Sequence, residues 1–306
     1  MSAPSVQLNL EPLGVPPDAS LGLAVSGGPD SLALLLLAAR ARPAGLRAAT
    51  VDHQLRPASR AEAEDVGALC ASLGVPHDIL TVRVEGSVQA AAREARYTAL
   101  GHWCLAHGLT HLATAHHADD QAETLLMRLA RGAGLSGLAG IRAARLLCPG
   151  VTLVRPLLGA RKAELEAIVA AAGLTPAQDP SNADPRYDRT AARALLAAGW
   201  IDPARIAHSA AHLAEAEAAL EWAAEQAFAE RFDGTALDRA GLPPEIIRRV
   251  ILRIFAIHGE TPRGPDLARL IAALQANRPG TLGPLKASPG ERWTFTRAPP
   301  RLRASA

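Results

Sequence analysis

Cysteine is scarce in this sequence, and the few cysteines present are far apart. Cys70, Cys104 and Cys148 are the only ones among 306 residues, and no C-x-x-C pair occurs. A disulfide framework, a zinc site or an iron–sulfur site would need paired or clustered cysteines, so none of these is expected. Buried or incidental thiols are the better interpretation of an odd, scattered set.

Long apolar runs are absent as well. Residues 32–39 are all apolar, but this run is eight residues long, whereas about 20 are needed to span a bilayer. No basic and then apolar signal opens the chain, so we expect a cytoplasmic protein with no membrane partner. A hydrophobic content of 49% with 20% charged residues is ordinary for a folded protein.

Lysine is nearly missing, and the basic residues are unevenly distributed. Only Lys162 and Lys286 are lysines among the 32 basic residues. Residues 248–306 hold 11 basic and 3 acidic residues, so this segment carries a net charge of +8. Such a segment suits a polyanion such as RNA, and a solvated basic tail would have the same composition.

The first 200 residues alternate between strand-like and helix-like patterns. Apolar runs bounded by turn residues predict strands over residues 21–25, 46–51, 77–82 and 111–114, with a further strand–helix unit over residues 153–172. Helical periodicity predicts the intervening helices over residues 32–40, 59–73 and 87–107. This alternation implies an α/β fold with a doubly wound parallel sheet, whose ligand site lies beyond the carboxyl ends of the strands.

The pattern changes to helices alone from residue 203. We therefore expect two domains, an α/β catalytic domain over residues 1–200 and a second, smaller all-helical domain over residues 201–306 that ends in a basic tail. One short alternating run, residues 293–295, indicates a strand near the end of the chain.

A glycine-rich turn connects the first predicted strand to the first predicted helix. Residues 26–31 read Ser-Gly-Gly-Pro-Asp-Ser. Paired glycines let a backbone approach a bulky anion, while serine hydroxyls and free helix N–H groups donate hydrogen bonds to it. Asp30 could then hold Mg²⁺, which would neutralise the charge of a pyrophosphate. An ordinary strand–helix connection can contain two glycines too.

The complete string, however, resembles the turn of the N-type ATP pyrophosphatase (PP-loop) superfamily. That resemblance implies an adenine nucleotide alpha hydrolase-like fold and cleavage of ATP between its α and β phosphates. The chain has no G-x-x-x-x-G-K-[ST] motif. Its absence argues against γ-phosphoryl transfer and for adenylation.

Polar clusters follow the second and fourth predicted strands. Asp52 and His53 follow the second, and residues 113–124 follow the fourth, reading Ala-Thr-Ala-His-His-Ala-Asp-Asp-Gln-Ala-Glu-Thr. An aspartate pair at a helix start offers oxygen ligands for Mg²⁺, and a histidine can accept a proton. The plain structural alternative is N-capping by the aspartates beside one packed histidine.

With Arg93, Arg96, Arg155 and residues 179–184, these clusters closely resemble the tRNA(Ile)-lysidine synthetase family, strongly over about residues 20–195 and weakly beyond. That family adenylates the wobble cytidine of a minor isoleucine tRNA on the carbonyl oxygen at ring position two, and free lysine then displaces AMP. The resemblance implies ATP and Mg²⁺ as cofactors, and free lysine and an isoleucine tRNA with a CAU anticodon as partners. The resemblance leaves the oligomeric state open, and a homodimer is one expectation.

The resemblance also implies roles for matching positions. The implied catalytic residues are Asp30, His116, His117 and Asp120. The implied ATP-binding residues are Ser26, Gly27, Gly28, Asp30, Ser31, Asp52 and His53. The residues implied for lysine or tRNA are Asp119, Asp120, Arg93, Arg96, Arg128, Arg131, Arg155, Asn182, Arg189 and Arg193, and the Mg²⁺ ligands are Asp30 and Asp119. Each arginine alone is equally typical of a solvated or ion-paired helix residue.

The chain departs from the family pattern at three positions. Gln54 stands where glycine is usual, Gln178 replaces a glutamate, and Thr190 replaces an asparagine. These departures weaken the assignments in the loop around residues 178–190 and leave the family resemblance intact.

Two other functions stay open from the sequence. One is another PP-loop adenylating enzyme, acting in tRNA thiolation or small-molecule amidation. Thiolation would need a cysteine pair that this chain lacks, and small-molecule amidation would leave the basic helical region unexplained. A non-catalytic nucleotide or RNA binder would not need Asp30, Asp119 and Asp120 together. Release of AMP that depends on both lysine and tRNA would separate these functions.

Overall fold

The computed structural model describes residues 6–8, 10–54, 59–82, 89–177 and 188–298 of the chain. Its contacts divide the protein into two compact units, Met1–Ala214 and Glu215–Ala306. This division falls beyond residue 200, the boundary expected from the sequence. Both boundaries leave the α/β elements in the first unit, and the assignment of domains stays a prediction.

The first unit is built around a six-stranded sheet. Its strands are β1 (Leu21–Ala24), β2 (Leu46–Asp52), β3 (His77–Thr81), β4 (His111–Ala113), β5 (Ala144–Cys148) and β6 (Val151–Val154). They lie in the order β3-β2-β1-β4-β6-β5, and all neighbours are parallel except β5 and β6. The connections run in one direction from β1 and in the other from β4, so the crevice of this doubly wound sheet lies between these two strands.

Helices, including those predicted over residues 32–40, 59–73 and 87–107, lie between successive strands from β1 to β5 and continue after β6. They are α1 (Pro29–Ala41), α2 (Ser59–Ser72), α3 (Gln89–Ala106), α4 (Ala118–Ala130), α5 (Leu135–Leu138), α6 (Lys162–Ala171), α7 (Asp188–Ala197) and α8 (Pro203–Arg231). The predicted α/β fold with a parallel, doubly wound sheet is confirmed. No described helix is both long and apolar enough to cross a membrane.

The antiparallel strand β5 is not expected from the sequence. It forms the outer edge of the sheet, and its side chains are only partly buried, with Leu146 exposed. A half-exposed edge strand does not need the continuous apolar run of a buried parallel strand. The sequence pattern at residues 144–148 is therefore too weak to predict it.

Apolar side chains of β1 and α1 occupy the centre of the first core. Leu21, Leu23 and Leu34 are fully buried there. Gly22 lies within β1, and a Cβ at this position would stand 2.9 Å from the ring of Trp103 on α3. The missing side chain therefore lets α3 pack closely on the sheet.

Cys70 and Cys104 are buried, in agreement with the expectation of buried thiols. Burial raises the pKa of Cys70 to about 11. Burial, reinforced by the neighbouring Cys148, raises the pKa of Cys104 to about 12. Cys148 itself is only partly buried on β5.

The second unit combines helices with a small sheet. Besides the end of α8, it contains α9 (Pro244–Ile257), α10 (Gly264–Gln275) and the strands β7 (Ala236–Leu237), β8 (Gly280–Leu282), β9 (Leu285–Ser288) and β10 (Trp293–Arg297). The strands are antiparallel in the order β7-β10-β9-β8.

The helical character of this unit is as expected, but the expectation of helices alone is wrong. The run at residues 293–295 does lie in a strand, and three further strands accompany it. Each of these has two to four residues, which is too short for a clear alternation in the sequence. Tertiary packing stabilises these strands, because Leu285, Ala287 and Trp293 of the sheet are buried with α9 and α10.

A buried arginine joins α8 to α9 within the second unit. Arg249 is only 2% exposed, and its guanidinium donates hydrogen bonds to Glu217 at 2.6 Å, to Glu245 at 2.8 Å and to Glu221. The hydrogen bond with Glu217 raises the pKa of Arg249 above its ordinary value despite burial. The three carboxylates therefore compensate a charge that burial alone would make costly.

Candidate active site

Hydrogen bonds with the side chain of Ser31 stabilise the turn after β1. The backbone N–H of Ser26 donates to the Ser31 hydroxyl at 3.1 Å, and that hydroxyl donates to the carbonyl of Gly28 at 2.9 Å. Gly27 has a φ of 83°, which an L side chain rarely adopts. No side chain of the described residues caps α1. Its first N–H groups thus remain available to an anion.

A cavity of about 420 Å³ opens at the carboxyl ends of β1, β2 and β4. This volume falls in the range of small-molecule sites. The crevice predicted from the fold is therefore a real cavity. It brings together many of the residues singled out in the sequence, namely Ser26, Ser31, His53, Arg93, Arg96, His116, Asp120 and Arg189.

Three carboxylates surround His117 beside this cavity. Its Nε2 lies 3.6 Å from Asp30 Oδ2 and 3.5 Å from Asp120 Oδ2, and its Nδ1 lies 3.7 Å from Asp119 Oδ2. His117 also caps α4, because Nδ1 accepts the backbone N–H of Asp120 at 3.3 Å. The cap is thus the histidine and not an aspartate. An accepting Nδ1 leaves the proton of the neutral ring on Nε2, facing Asp30 and Asp120.

The two histidines have opposite electrostatic environments. Burial alone would lower the pKa of His117, but Asp30, Asp120 and Asp119 together raise it above its ordinary value. Burial lowers the pKa of His116 to about 3, and nearby arginines, Arg155 foremost, reinforce the shift. At neutral pH His116 is therefore an uncharged, weak base, whereas His117 can hold a proton.

Asp119, in the first turn of α4, contacts the start of α6. One of its oxygens accepts the backbone N–H of Lys162 at 2.8 Å, and both lie 3.4 Å from the guanidinium of Arg161. Arg161 in turn donates to Asp202 at 2.8 Å. These contacts give Asp119 a structural part in joining α4 to α6.

Asp52 is likewise occupied by local hydrogen bonds. It is 4% exposed and accepts the Ser59 hydroxyl at 2.7 Å and the backbone N–H of Gln54 at 2.9 Å, which together lower its pKa. Gln54 has a φ of 54°, so the position where the family usually has glycine needs a left-handed backbone here too. His53 lines the cavity, and burial lowers its pKa.

The candidate arginines fall into four groups. Arg93, Arg96 and the buried Arg155 surround Tyr97 at the edge of the cavity. Arg128 donates to the carbonyls of Gly137 and Gly140 at 2.6 and 2.8 Å, a structural role that its helix position does not reveal. Arg131 is exposed at the end of α4. Arg189 and Arg193 both pair with a carboxylate on α4, and Asn182 lies outside the described residues.

Comparison with known proteins identifies the family. The PP-loop domain family matches residues 4–198, more than half of the chain. A tRNA(Ile)-lysidine synthase of Novosphingobium aromaticivorans is 48% identical over 92% of this chain and 90% of its own length. Another from Zymomonas mobilis is 46% identical over 95% of this chain and 92% of its own length. The chain belongs to the tRNA(Ile)-lysidine synthase family.

One solved structure has a similar fold at low sequence identity. The U34-tRNA thiolase NcsA of Methanococcus maripaludis, solved with its [4Fe-4S] cluster, matches with a TM-score of 0.57 and 16% identity. The match covers 67% of this chain and 76% of that one. This chain therefore shares its fold with that thiolase.

One buried carboxylate of this lysidine synthase family member was not predicted. Glu123 on α4 is 6% exposed and pairs with Arg193 at 2.7 Å and with Arg189 at 3.6 Å, while its Oε2 has no hydrogen-bond partner among the described residues. It stands three residues after Asp120 and four after Asp119, so all three share one helix face. That spacing is the signal that could have revealed it.

The residues present fit a magnesium ion bound together with a phosphate ligand. Oδ1 of Asp30 is buried without a hydrogen-bond partner among the described residues. Asp120 lies close to Asp30, because the Oδ2 atoms of both contact Nε2 of His117. No described group of three or more His, Cys, Asp or Glu side chains forms a self-sufficient metal site. Mg²⁺ commonly needs only one or two protein carboxylates, since water and phosphates complete its shell.

Proposed function

We propose that this chain ligates lysine to the wobble cytidine of an isoleucine tRNA with a CAU anticodon. ATP would activate the cytidine as an adenylate with release of pyrophosphate, and lysine would then displace AMP. The observation that carries the proposal is the cavity at the strand ends, where an uncapped helix start, Asp30, His117 and Asp120 meet in a chain of this family.

Activation would use the glycine turn. The phosphates of ATP would lie against residues 26–31, where helix N–H groups and serine hydroxyls favour anions. Asp30 and Asp120 are the best placed carboxylates for Mg²⁺, since Asp119 is engaged by α6. When bound, the ion would neutralise charge that develops on the leaving pyrophosphate.

Lysine transfer would need an acceptor for one proton. The neutral ε-amine attacks ring carbon two, a carbon–nitrogen bond forms, and the carbon–oxygen bond to AMP breaks with its electrons. The amine must lose a proton in this step. Asp120 would orient the amine, and His116 with a pKa of about 3 cannot hold its proton. His117 would take the proton on Nδ1 by releasing the backbone N–H of Asp120, and the charged ring would then face Asp119 through Nδ1 and Asp30 and Asp120 through Nε2.

A pair of variants separates this role of His117 from its role as a helix cap. His117→Asn keeps a side chain that accepts at the start of α4, so it should retain stability, whereas His117→Ala should lose roughly 1 kcal/mol. Both should slow lysine transfer from a preformed adenylate by roughly 10²-fold or more. Rapid-quench kinetics and thermal unfolding measure the two effects. Unchanged transfer in both variants would refute the assignment.

The pH dependence provides an independent check on the same step. Transfer by the unaltered chain should rise with pH through a midpoint above 6.5, because the active form of His117 is the neutral one. This limb should be missing in His117→Asn.

The function itself is tested by the product. The full chain is incubated with unmodified isoleucine tRNA, ATP and lysine, and the wobble nucleoside is analysed by mass spectrometry. Lysidine and release of AMP are expected only when both lysine and the tRNA are present. Release of AMP regardless of lysine and tRNA identity would overturn the proposal.

The proposal places the protein in the cytoplasm, where ATP, lysine and tRNA occur together. Basic side chains of residues 248–306 would add contacts to the tRNA backbone, so that affinity falls steeply with salt. A homodimer stays a prediction.

A further inference from the structure

A second depression lies beside the cavity, between α3 and the edge strand β5. It has a volume of about 450 Å³ and is separate from the glycine turn. We call it the arginine groove. Its polar lining consists of Arg93, Glu94, Tyr97, Thr98, His102 and Arg145.

Positive charge is concentrated around one aromatic ring in this groove. The guanidinium carbons of Arg93, Arg96 and Arg145 lie 5.2, 5.4 and 5.1 Å from the centre of the Tyr97 ring. Burial alone would raise the pKa of Tyr97, but Arg93, Arg96 and Arg155 lower it on balance. The ring therefore lies in a strongly positive field.

No carboxylate neutralises this cluster within the described parts of the chain. None of the described carboxylates lies within ion-pairing distance of Arg93, Arg96, Arg145 or Arg155. Arg145 and Arg155 each donate to one backbone carbonyl, which carries no compensating charge. Burial and the neighbouring arginines lower the pKa of Arg155, and no described residue forms a hydrogen bond with its Nε. Like charges this close are costly without a counter-ion, so the groove is suited to a bound anion.

The groove also adjoins the cavity. Arg93 and Tyr97 line both, so they form the wall between the two spaces. Arg145 and His102 lie on the groove side only, and Arg96 and His116 on the cavity side only. A ligand could therefore place one part in the cavity and an adjoining anionic part in the groove.

We propose that the arginine groove binds a backbone phosphate of an RNA strand whose neighbouring base enters the cavity, with Arg145 as its main contact. This inference rests on the proposed function and adds a specific site to it. The phosphates of ATP have the glycine turn, whereas an RNA substrate brings a phosphodiester beside each base. Arginine suits this role because its planar fork donates two hydrogen bonds to a phosphate.

The experiment measures how tRNA affinity of the full chain depends on salt. Arg145→Gln should weaken binding of the unmodified tRNA about tenfold at low salt. It should also reduce the slope of log Kd against log salt concentration by roughly 0.7, the value for one lost phosphate contact on single-stranded RNA. Arg145→Lys should keep the slope.

Two further variants sharpen the test. Glu94 is the sole carboxylate among the described residues of the groove, so Glu94→Gln should tighten tRNA binding, opposite in sign to Arg145→Gln. Arg40→Gln is the matched control. This exposed arginine lies in the last turn of α1, at the opposite end of the helix from the glycine turn. Its affinity and slope should equal those of the unaltered chain.

Lysidine formation by the unaltered chain is followed in parallel. Activity in that chain combined with an unaltered salt slope in Arg145→Gln would overturn the groove proposal alone. A raised KM for ATP in Arg145→Gln with unchanged tRNA binding would also overturn it and assign the groove to the nucleotide. A lack of lysidine from the unaltered chain would instead refute the proposed function.

Discussion

An Asp30→Ala variant is expected to lose AMP formation by roughly 10³-fold or more. The reason is its position, because Asp30 lies in the first turn of α1 with one buried oxygen that no described group satisfies. Removing it would leave pyrophosphate charge without the carboxylate that helps to hold Mg²⁺. Single-turnover formation of AMP from radiolabelled ATP, with tRNA and lysine saturating, measures the loss.

Binding of the tRNA should survive the same change. Many backbone contacts dominate the affinity of a protein for RNA, so Asp30→Ala should alter it less than about twofold. Asp30→Asn keeps the size of the side chain and should lose activity to a similar extent, whereas the exposed Asp18→Ala is the matched control with full activity. Equal loss of tRNA binding and catalysis in Asp30→Ala would mean that the turn is structural.

An Arg249→Leu variant is expected to destabilise the second unit by about 3–5 kcal/mol. Arg249 is almost fully buried, and its removal leaves Glu217 buried, with Glu221 and Glu245 also deprived of their shared partner. The free energy of opening can be measured by hydrogen exchange of the amides in α9, which reports on this unit separately from the first. A cost below about 1 kcal/mol would contradict the prediction.

Two comparisons isolate burial as the cause. Arg269 forms an ion pair with Asp266 on α10, but its side chain is 78% exposed, so Arg269→Leu should cost less than about 1 kcal/mol. Replacing Arg249 and Glu217 together by methionine should recover part of the loss, because no buried charge then lacks its main partner. A double variant as unstable as Arg249→Leu would point to packing instead of charge.

The sequence carries enough information for the main features of the fold and of the site. Strand and helix periods differ, so the order of elements in the first unit follows from the apolar pattern. The turn at residues 26–31 is recognisable because its chemistry is local. Strand ends of a parallel sheet converge at one edge, so Asp30, His117 and Asp120 could be expected near each other before any distance was known.

Features that depend on packing could not be predicted in this way. Strands β5 and β7–β9 are short or half exposed, and their neighbours rather than their own patterns determine them. Asp119 and Arg128 were assigned to substrates, yet both make structural contacts with distant parts of the chain, a helix start and two carbonyls. Such partners are set by tertiary structure, and so is the burial of Glu123 that makes it notable.

The burial of two thiols has a practical consequence for labelling chemistry. Thiol reagents attack the thiolate, and the raised pKa values of Cys70 and Cys104 keep both protonated and enclosed near neutral pH. Of the three cysteines, Cys148 is the least buried, and it lines the arginine groove. The natural sequence therefore offers a single attachment point for a fluorophore or spin label next to the proposed RNA contact, without any engineered cysteine.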